Sequence, residues 1–190
     1  MARLYKNDPK LHARAVRALE NLAAHTQRGV LDRAHESGTP LILTFVDGTQ
    51  RKTTIQRVEP KRFATAEGEH DKIEVMFAIE PKAAKKLKRV VRRDEEVARL
   101  GLRVSADPDE RLRLSKMLLQ RLIDESLLAR FTFVVGTVLA CRVRSFGYFE
   151  VNAELKGGGP VVLFRHGLYR VSVGDDVWAD QAWGHHVQGR

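Results

Sequence analysis

The chain has 190 residues, of which 33 are Lys or Arg and 24 are Asp or Glu, so its formal net charge is +9 at pH 7. This length accommodates one large domain or two small ones, and the basic balance favours an acidic partner such as nucleic acid. No apolar run is long enough to cross a membrane, the first residues lack the apolar core of a signal peptide, and the single Cys141 excludes an intramolecular disulfide. We therefore expect a cytoplasmic protein without a membrane span, a metal site or a cofactor.

The first part of the chain predicts two helices followed by short strands. The dipeptide Asp8-Pro9 is typical of a helix start, and apolar residues at helical spacing continue to about residue 25. A second short helix is predicted over residues 27–37, with Gly38 as its C-cap. Four or five short antiparallel strands are predicted up to residue 81, and Asp47-Gly48 is a strong signal for the hairpin turn between the first two.

The same order of elements returns after a charged segment. Residues 82–93 include seven Lys or Arg, an acidic cluster follows, and the segment is predicted to be a solvated helix or a partly ordered linker. A helix is then predicted to start at Asp107, with Pro108 at its first position. The apolar face of this helix consists of Leu114, Met117, Leu118 and Leu122. About five strands follow as far as residue 173, with the glycines of residues 157–159 between the third and the fourth.

The spacing of glycines supports an internal duplication of this element order. Gly48 lies eight residues after Pro40, and Gly136 lies eight residues after Leu128. Since both glycines fall between the first two predicted strands of their half, the two halves share their strand spacing although their side chains differ.

The combined pattern resembles the Sm-like fold of the bacterial RNA chaperone Hfq. The stretch "RVRSFGYFEV" is similar to the family's strand with Ser-Phe-Asp-x-Phe, with Gly147 in place of the acid. The stretch "LFRHGLY" is similar to the family's Tyr-Lys-His signature, with Phe164, Arg165 and His166 in those places. The resemblance covers residues 27–81 and 111–173.

The resemblance implies a mainly β chain with helices, built from two Sm-like modules. Each module is a short N-terminal helix followed by a five-stranded bent antiparallel sheet or small barrel. The implied boundaries are an N-terminal helical extension at 1–26, module 1 at 27–81, a basic, charged linker at 82–106, module 2 at 107–174 and a C-terminal tail at 175–190.

In module 2, the resemblance implies four RNA-binding residues. Phe149 takes the place of the stacking aromatic, and Tyr148 that of a residue that contacts a base edge. Arg165 and His166 take the places of the basic signature. These residue types suit the task, because single-stranded RNA is bound by stacking its bases on aromatic rings and by hydrogen bonds to base edges, riboses and phosphates.

In module 1, the resemblance implies a weaker site. Gln27 lies where the family's first helix presents a glutamine to uracil, and Phe63 lies where the family has its stacking aromatic. The basic signature is replaced by "VMF", residues 75–77. The corresponding site is therefore expected to have lost its basic groups.

A structural interpretation of the same residues stays open. Phe149 alternates with Val151, and an aromatic residue in a strand is commonly part of the core. An Arg-His pair between two strands is often a solvated turn. From these residues alone, Arg165 and His166 fit a turn as well as a ligand site.

The implied function is the binding of single-stranded, U-rich RNA by an Hfq-like RNA chaperone and post-transcriptional regulator. In the family, each subunit pairs its fourth strand with the fifth strand of its neighbour and so covers exposed strand edges. Two modules per chain then imply a homotrimer that closes a six-module ring.

Two other functions remain open at this point, and an enzyme is not expected. A basic SH3-like barrel associated with ribosomes or translation would bind structured RNA through the basic linker and would need no ring. A ring scaffold with weakened RNA affinity would bind protein instead. The sequence contains no P-loop, nucleophile elbow, HExxH or CxxC motif, so no catalytic activity is predicted.

Overall fold

A computed structural model describes residues 29–180, so the helix predicted over residues 9–25 and the predicted ligand residue Gln27 lie outside the described residues. The described chain is mainly β, as predicted. Its α-helices are α1 (Val30–Ser37), α2 (Ala84–Val90), α3 (Glu95–Arg99) and α4 (Lys116–Asp124). Its 3-10 helices are η1 (Lys72–Glu74), η2 (Pro81–Ala83), η3 (Pro108–Glu110) and η4 (Arg165–Gly167). None of the helices in this part of the chain is long and apolar enough to span a membrane.

The strands form two antiparallel sheets. They are β1 (Leu41–Phe45), β2 (Gln50–Thr53), β3 (Ile55–Val58), β4 (Arg62–Thr65), β5 (Gly68–Asp71), β6 (Val75–Ile79), β7 (Arg92–Arg93), β8 (Leu128–Phe133), β9 (Thr137–Phe146), β10 (Glu150–Leu155), β11 (Pro160–Phe164), β12 (Leu168–Val173) and β13 (Asp176–Asp180). The larger sheet has the order β13-β12-β8-β9-β10-β11-β6-β1-β2, and β7 pairs with β9 beside this path. The smaller sheet has the order β3-β4-β5.

Two stretches of the chain, here called unit 1 (residues 30–79) and unit 2 (residues 116–173), repeat the same strand pairings. Each unit has one helix and then five strands, the second of which is broken into β2 and β3 in unit 1 and continuous as β9 in unit 2. Val58 lies opposite Phe63 where the second and third strands meet in unit 1, and Phe146 lies opposite Val151 at the same place in unit 2. The repeat predicted from glycine spacing is therefore present in the strand register.

The first hairpin turn of each unit needs its glycine. Gly48 and Gly136 both have φ of +83°, a left-handed conformation that side chains with a Cβ adopt only with strain. In the first turn, the Asp47 carboxylate accepts the backbone N–H of Thr49 at 2.8 Å. The hairpin predicted at Asp47-Gly48 is confirmed, and the same turn recurs at Gly136 without the aspartate.

The two units are joined by pairing between the last strand of unit 1 and the fourth strand of unit 2. Strand β6 pairs antiparallel with β11, and Phe77 lies opposite Leu163 in that register. The ring of Phe77 lies 5.6 Å from the ring of Phe133 in unit 2. Residues of both units therefore share one hydrophobic core.

A carboxylate of unit 2 holds the start of the helix of unit 1. The backbone N–H of Val30, in the first turn of α1, donates to both carboxylate oxygens of Glu150, at 3.0 and 2.9 Å. A Cβ on Gly29 would lie 2.6 Å from Glu150 Oε1, so the glycine makes room for this contact. Burial raises the pKa of Glu150, whereas the N–H of Val30 opposes that shift.

The segment predicted to be a linker is folded onto unit 2. Leu87 of α2 and Val97 of α3 are 2% and 1% exposed, and β7 pairs with β9. The predicted C-terminal tail, residues 175–190, contains strand β13, which pairs with β12. The seven basic residues of 82–93 favoured a solvated helix, although Ala83 and Leu87 recur at helical spacing and both are buried.

The helix predicted to start at Asp107 starts later. Asp107 caps only the short η3, whereas Ser115 caps α4 by accepting the backbone N–H of Leu118 at 3.1 Å. Leu114 is buried ahead of the helix, and Met117, expected on the apolar face, is 83% exposed. The residues "RLRL" at 111–114 alternate basic and apolar, a pattern that fits an extended chain with one buried face better than a helix.

We predict that Glu150→Ala lowers the free energy of unfolding by about 1–2 kcal/mol, the usual loss when a helix cap is removed. Chemical denaturation at pH 7 measures this loss. Glu154→Ala on the same strand is the matched control, since Glu154 forms an exposed ion pair with Arg144 that contributes little. Equal losses in the two variants would contradict the capping role of Glu150.

Candidate nucleic-acid interface

Two neighbouring aromatic side chains protrude from the turn between β9 and β10. Tyr148 is 80% exposed and Phe149 is 68% exposed, whereas the preceding Phe146 is buried. The rings of Tyr148 and Phe149 lie 4.9 Å apart in an edge-to-face arrangement. Large aromatic residues side by side in water present an apolar surface that is available to a ligand.

Arg165 holds the backbone of this turn in place. Its backbone N–H donates to the carbonyl of Phe149 at 2.9 Å. Its Nη1 donates to the carbonyls of Gly147 and Tyr148 at 3.3 and 3.2 Å. Three consecutive carbonyls of the turn thus accept hydrogen bonds from one residue, and Arg165 fixes the direction in which the aromatic rings leave the chain.

The same guanidinium also ties the turn to the segment before α4. Arg165 Nη2 donates to the carbonyl of Leu114 at 2.6 Å. Burial lowers the pKa of Arg165 from its usual value, yet an arginine stays protonated at neutral pH. The positive charge is therefore retained at the base of the site.

His166 joins the two units at this site. Its Nε2 lies 2.9 Å from the carbonyl oxygen of Val75 in unit 1. A carbonyl oxygen only accepts hydrogen bonds, so Nε2 carries the proton of the neutral ring. Burial lowers the pKa of His166 to about 4, although the bond to Val75 opposes that shift. His166 is therefore neutral at pH 7.

Basic side chains form the wall opposite the aromatic turn. The alternation at 111–114 buries Leu112 and Leu114 and leaves Arg111 and Arg113 on the other side of the extended chain. With Lys116 they line a pocket of about 540 Å³ that also contacts Tyr148, Phe149, Arg165 and His166. A cavity of this size is typical of ligand sites.

The lining of this pocket is electropositive. Among the described residues, no carboxylate lines it. Arg113 has an ion-pair partner outside the lining, Asp109 at 2.5 Å, but both side chains are largely exposed, so water screens the pair. Arg111 donates to the carbonyls of Ser105 and Ala106, which hold it in place without neutralising its charge.

The structure brings four of the six predicted site residues together: Tyr148, Phe149, Arg165 and His166 line one pocket. Two of them act differently from the expectation. The hydrogen bonds of Arg165 and His166 go to backbone carbonyls, so these residues position the turn and the junction. The open question about the Arg-His pair is thus answered in part: it is neither a solvated turn nor a pair of side chains directed wholly at a ligand.

Phe63, the expected stacking residue of module 1, is a core residue. It is 1% exposed, and its ring lies 5.2 Å from that of His70. The strand register shows that Phe63 corresponds to Val151, and counting back two residues places Lys61 at the position of Phe149. Phe63 is therefore not available to stack on a base, which corrects the expectation.

The counterpart of the basic signature in unit 1 is also displaced. Residues 75–77 lie in strand β6 and are fully buried. In unit 2, Arg165 and His166 lie in η4, directly before β12; the corresponding element of unit 1 is η1, directly before β6. Lys72 thus occupies the place of Arg165. The sequence comparison misplaced it because the hairpin between β10 and β11 is longer than the one between β4 and β5.

Neither a metal-binding cluster nor a reactive thiol is found in the part of the chain that the structure describes. The described residues contain no group of three or more His, Cys, Asp or Glu side chains that could hold a metal ion. Cys141 is buried, and burial raises the pKa of its thiol to about 12, which leaves it protonated and unreactive.

Comparison of the chain with protein-family models, with curated proteins and with solved structures finds no match.

We predict that His166 makes the folded chain less stable in mild acid. Its pKa is about 4 in the folded chain and near its ordinary value of 6.5 in the unfolded chain. Between these values only the unfolded chain takes up the proton, so the free energy of unfolding falls as the pH falls, by about 3 kcal/mol at pH 4. Above pH 6.5 this contribution is complete and constant.

The variant His166→Gln keeps a donor for the carbonyl of Val75 but cannot take up a proton. Denaturation of both proteins at pH 7, 5.5 and 4 measures the difference in their unfolding free energies, which cancels the contributions of other groups. We expect the parent protein to lose stability relative to the variant as the pH falls. A difference that stays constant over this range would contradict a neutral, buried His166.

Proposed function

We propose that the chain binds single-stranded RNA, with a preference for U-rich segments, in the pocket beside Tyr148 and Phe149. The observation that carries this proposal is the exposure of two adjacent aromatic rings next to a basic wall. An apolar partner alone would not require the basic side chains, and a simple anion would not require the rings. Single-stranded RNA presents both unstacked bases and phosphates.

The aromatic rings supply sequence-tolerant binding. Stacking of a base on an aromatic ring contributes about 1–3 kcal/mol. Since Tyr148 and Phe149 are arranged edge to face, their faces point in different directions, and only one of them stacks on a given base. The phenol hydroxyl of Tyr148 can also donate a hydrogen bond to a base edge.

The basic wall supplies the electrostatic part of binding. Arg113 and Lys116 are exposed, and both can reach phosphates that follow a stacked base. Binding through such contacts releases counterions and weakens as salt rises. Arg165 and His166 act mainly as positioning residues, because they fix the aromatic turn and the junction of the two units.

The repeated units support an Hfq-like RNA chaperone as the proposed class. In the Hfq family, the fourth strand of one subunit pairs with the fifth strand of the next. The pairing of β11 with β6 has this character, because β11 is the fourth strand of unit 2 and β6 is the fifth strand of unit 1. We propose that each unit is an Sm-like module and that the pocket uses the junction between them.

We predict that Tyr148→Ala and Phe149→Ala each weaken binding of a fluorescent U-rich oligoribonucleotide, the stacking residue by about 5- to 150-fold. Fluorescence anisotropy at two or more salt concentrations measures both affinity and salt dependence. The double change Arg113→Ala and Lys116→Ala is expected to lower the slope of log K against log salt by about 1.4, as for two lost phosphate contacts.

Two matched controls separate the pocket from the rest of the surface. Leu100→Ala removes another exposed apolar side chain outside the pocket and leaves binding unchanged. The double change Lys85→Ala and Lys88→Ala removes two exposed charges from α2. If this second control abolishes binding while the aromatic variants bind normally, the RNA is bound by the basic segment and the pocket proposal is wrong.

A further inference from the structure

A second basic surface lies outside the aromatic pocket, where helix α2 meets strand β9 and the turn between β10 and β11. Along β9, the buried Cys141 and Val143 alternate with exposed arginines, so the arginines lie on the outer face of the sheet. We call this region the α2–β9 surface. Its exposed basic residues, none of which lines the aromatic pocket, are Lys85, Lys86, Lys88, Arg142, Arg144 and Lys156.

The surroundings of Glu154 show that the elements of this surface lie together. Glu154 of β10 lies opposite Arg142 of β9 and forms an ion pair with Arg144. The pKa of Glu154 is lowered by the hydrogen bond from Arg144 and, more weakly, by the charges of Arg142 and Lys86. A Cβ on Gly158 would lie 3.2 Å from Lys86 Nζ and 3.7 Å from Glu154 Oε1. Cations from the helix and from the sheet therefore surround one carboxylate.

Most of the positive charge on the α2–β9 surface is not neutralised. On unit 1, by comparison, Arg51, Arg57 and Arg62 each form an ion pair with a carboxylate. Among the described residues, only Arg144 of the α2–β9 surface forms such a pair. Six cations and one carboxylate leave a net charge of +5 on this surface. A concentration of one sign of charge attracts an anionic polymer.

The cations project from rigid parts of the fold. Helix α2 is anchored by Leu87, which is 2% exposed, and β9 is paired with both β8 and β10. The stem of Lys86 lies against the β10–β11 turn, since a Cβ on Gly159 would lie 3.3 Å from Lys86 Cδ. A surface that is ordered before binding loses less entropy when a ligand binds to it.

The α2–β9 surface lacks the apolar groups that unpaired bases require. The large hydrophobic residues that are exposed in the described part of the chain all lie elsewhere: Leu100, Met117, Tyr148, Phe149 and Val177. A single strand gains affinity by stacking its bases on aromatic rings, and a peripheral membrane helix inserts apolar side chains. A duplex keeps its bases stacked internally and presents phosphates and sugars on the outside, so basic side chains are sufficient to bind it.

We propose that the α2–β9 surface binds the phosphate backbone of a nucleic-acid duplex. Because this surface and the aromatic pocket have no residue in common, we expect one chain to hold a duplex and a single strand at the same time. The inference does not depend on RNA binding in the pocket, since it rests on a different set of side chains.

Fluorescence anisotropy on the full-length chain tests this inference with a labelled RNA duplex of about 20 base pairs. The double change Lys86→Ala and Arg142→Ala is expected to weaken binding and to lower the slope of log K against log salt by about 1.8, as for two lost phosphate contacts. The double change Lys85→Ala and Lys88→Ala is expected to have the same effect, and it keeps α2 intact because alanine favours a helix. Circular dichroism shows whether each variant is folded.

The matched control is Lys52→Ala with Lys61→Ala, which removes two exposed charges from unit 1 and is expected to leave duplex binding unchanged. An equal loss in this control would overturn the proposal, because binding would then follow net charge alone. A DNA duplex bound as tightly as the RNA duplex identifies the phosphates as the ligand, whereas tighter binding of RNA adds the ribose hydroxyls. Binding of phosphatidylserine vesicles without binding of either duplex would also contradict the proposal.

Two further measurements separate the α2–β9 surface from the pocket. Tyr148→Ala and Phe149→Ala are expected to leave duplex binding unchanged, whatever they do to a single strand. A saturating amount of unlabelled U-rich oligonucleotide is expected to leave the labelled duplex bound. Displacement of the duplex by this oligonucleotide, or loss of duplex binding in the aromatic variants, would place both ligands on one surface and contradict the inference.

Discussion

The pairing of β6 with β11 is the contact on which the rest of the structure depends. Both strands are continuous apolar runs, "VMFAI" and "VVLF", because each is covered on both faces and paired on both edges. Their pairing makes one sheet from two units and brings Phe77 against Phe133. Without it, each unit would expose an apolar strand edge and half of a shared core.

The polar contacts of the junction follow from that pairing. Once β6 lies beside β11, η4 meets the start of β6, and His166 reaches the carbonyl of Val75. On the other side of the junction, Glu150 reaches the first turn of α1. Each contact supplies a hydrogen-bond partner to a backbone group at the junction. The junction is thus fixed by backbone groups and two ionisable side chains of unit 2.

The candidate site is built on this rigid junction. Arg165 follows directly after β11 and binds three carbonyls of the aromatic turn, so the position of the rings is set by the sheet. A backbone held in one conformation loses little entropy when a ligand binds to the turn. The basic wall before α4 completes a site that combines aromatic rings on a fixed turn with exposed charges.

Much of the architecture could be predicted from the sequence, because it depends on local signals. Asp47-Gly48 and Gly136 require turns, Gly38 ends a helix with φ of +63°, and the order of elements repeats. The exposure of Tyr148 and Phe149 was expected only from the resemblance to a family, since alternation alone allowed a core position for Phe149.

The remainder could not be predicted, because it depends on contacts distant in sequence or on register. Phe63 was misplaced by two residues: it lies inside strand β4, whereas Phe149 lies in the turn before β10. The basic wall at 111–116 was taken for part of a helix, although the "RLRL" alternation was present in the sequence. Strand β13 has no periodic pattern of its own and forms because β12 offers it an edge.

The most direct test of the account is to locate bound RNA on the full-length chain by photo-crosslinking. A U-rich oligonucleotide that carries a single 4-thiouridine is irradiated with the protein, and mass spectrometry identifies the crosslinked peptide. The account predicts a crosslink at Tyr148 or Phe149, with neighbouring crosslinks confined to the segment 111–116. A crosslink found mainly within residues 82–93, or spread evenly over basic peptides, would show that RNA follows surface charge and would contradict the site described above.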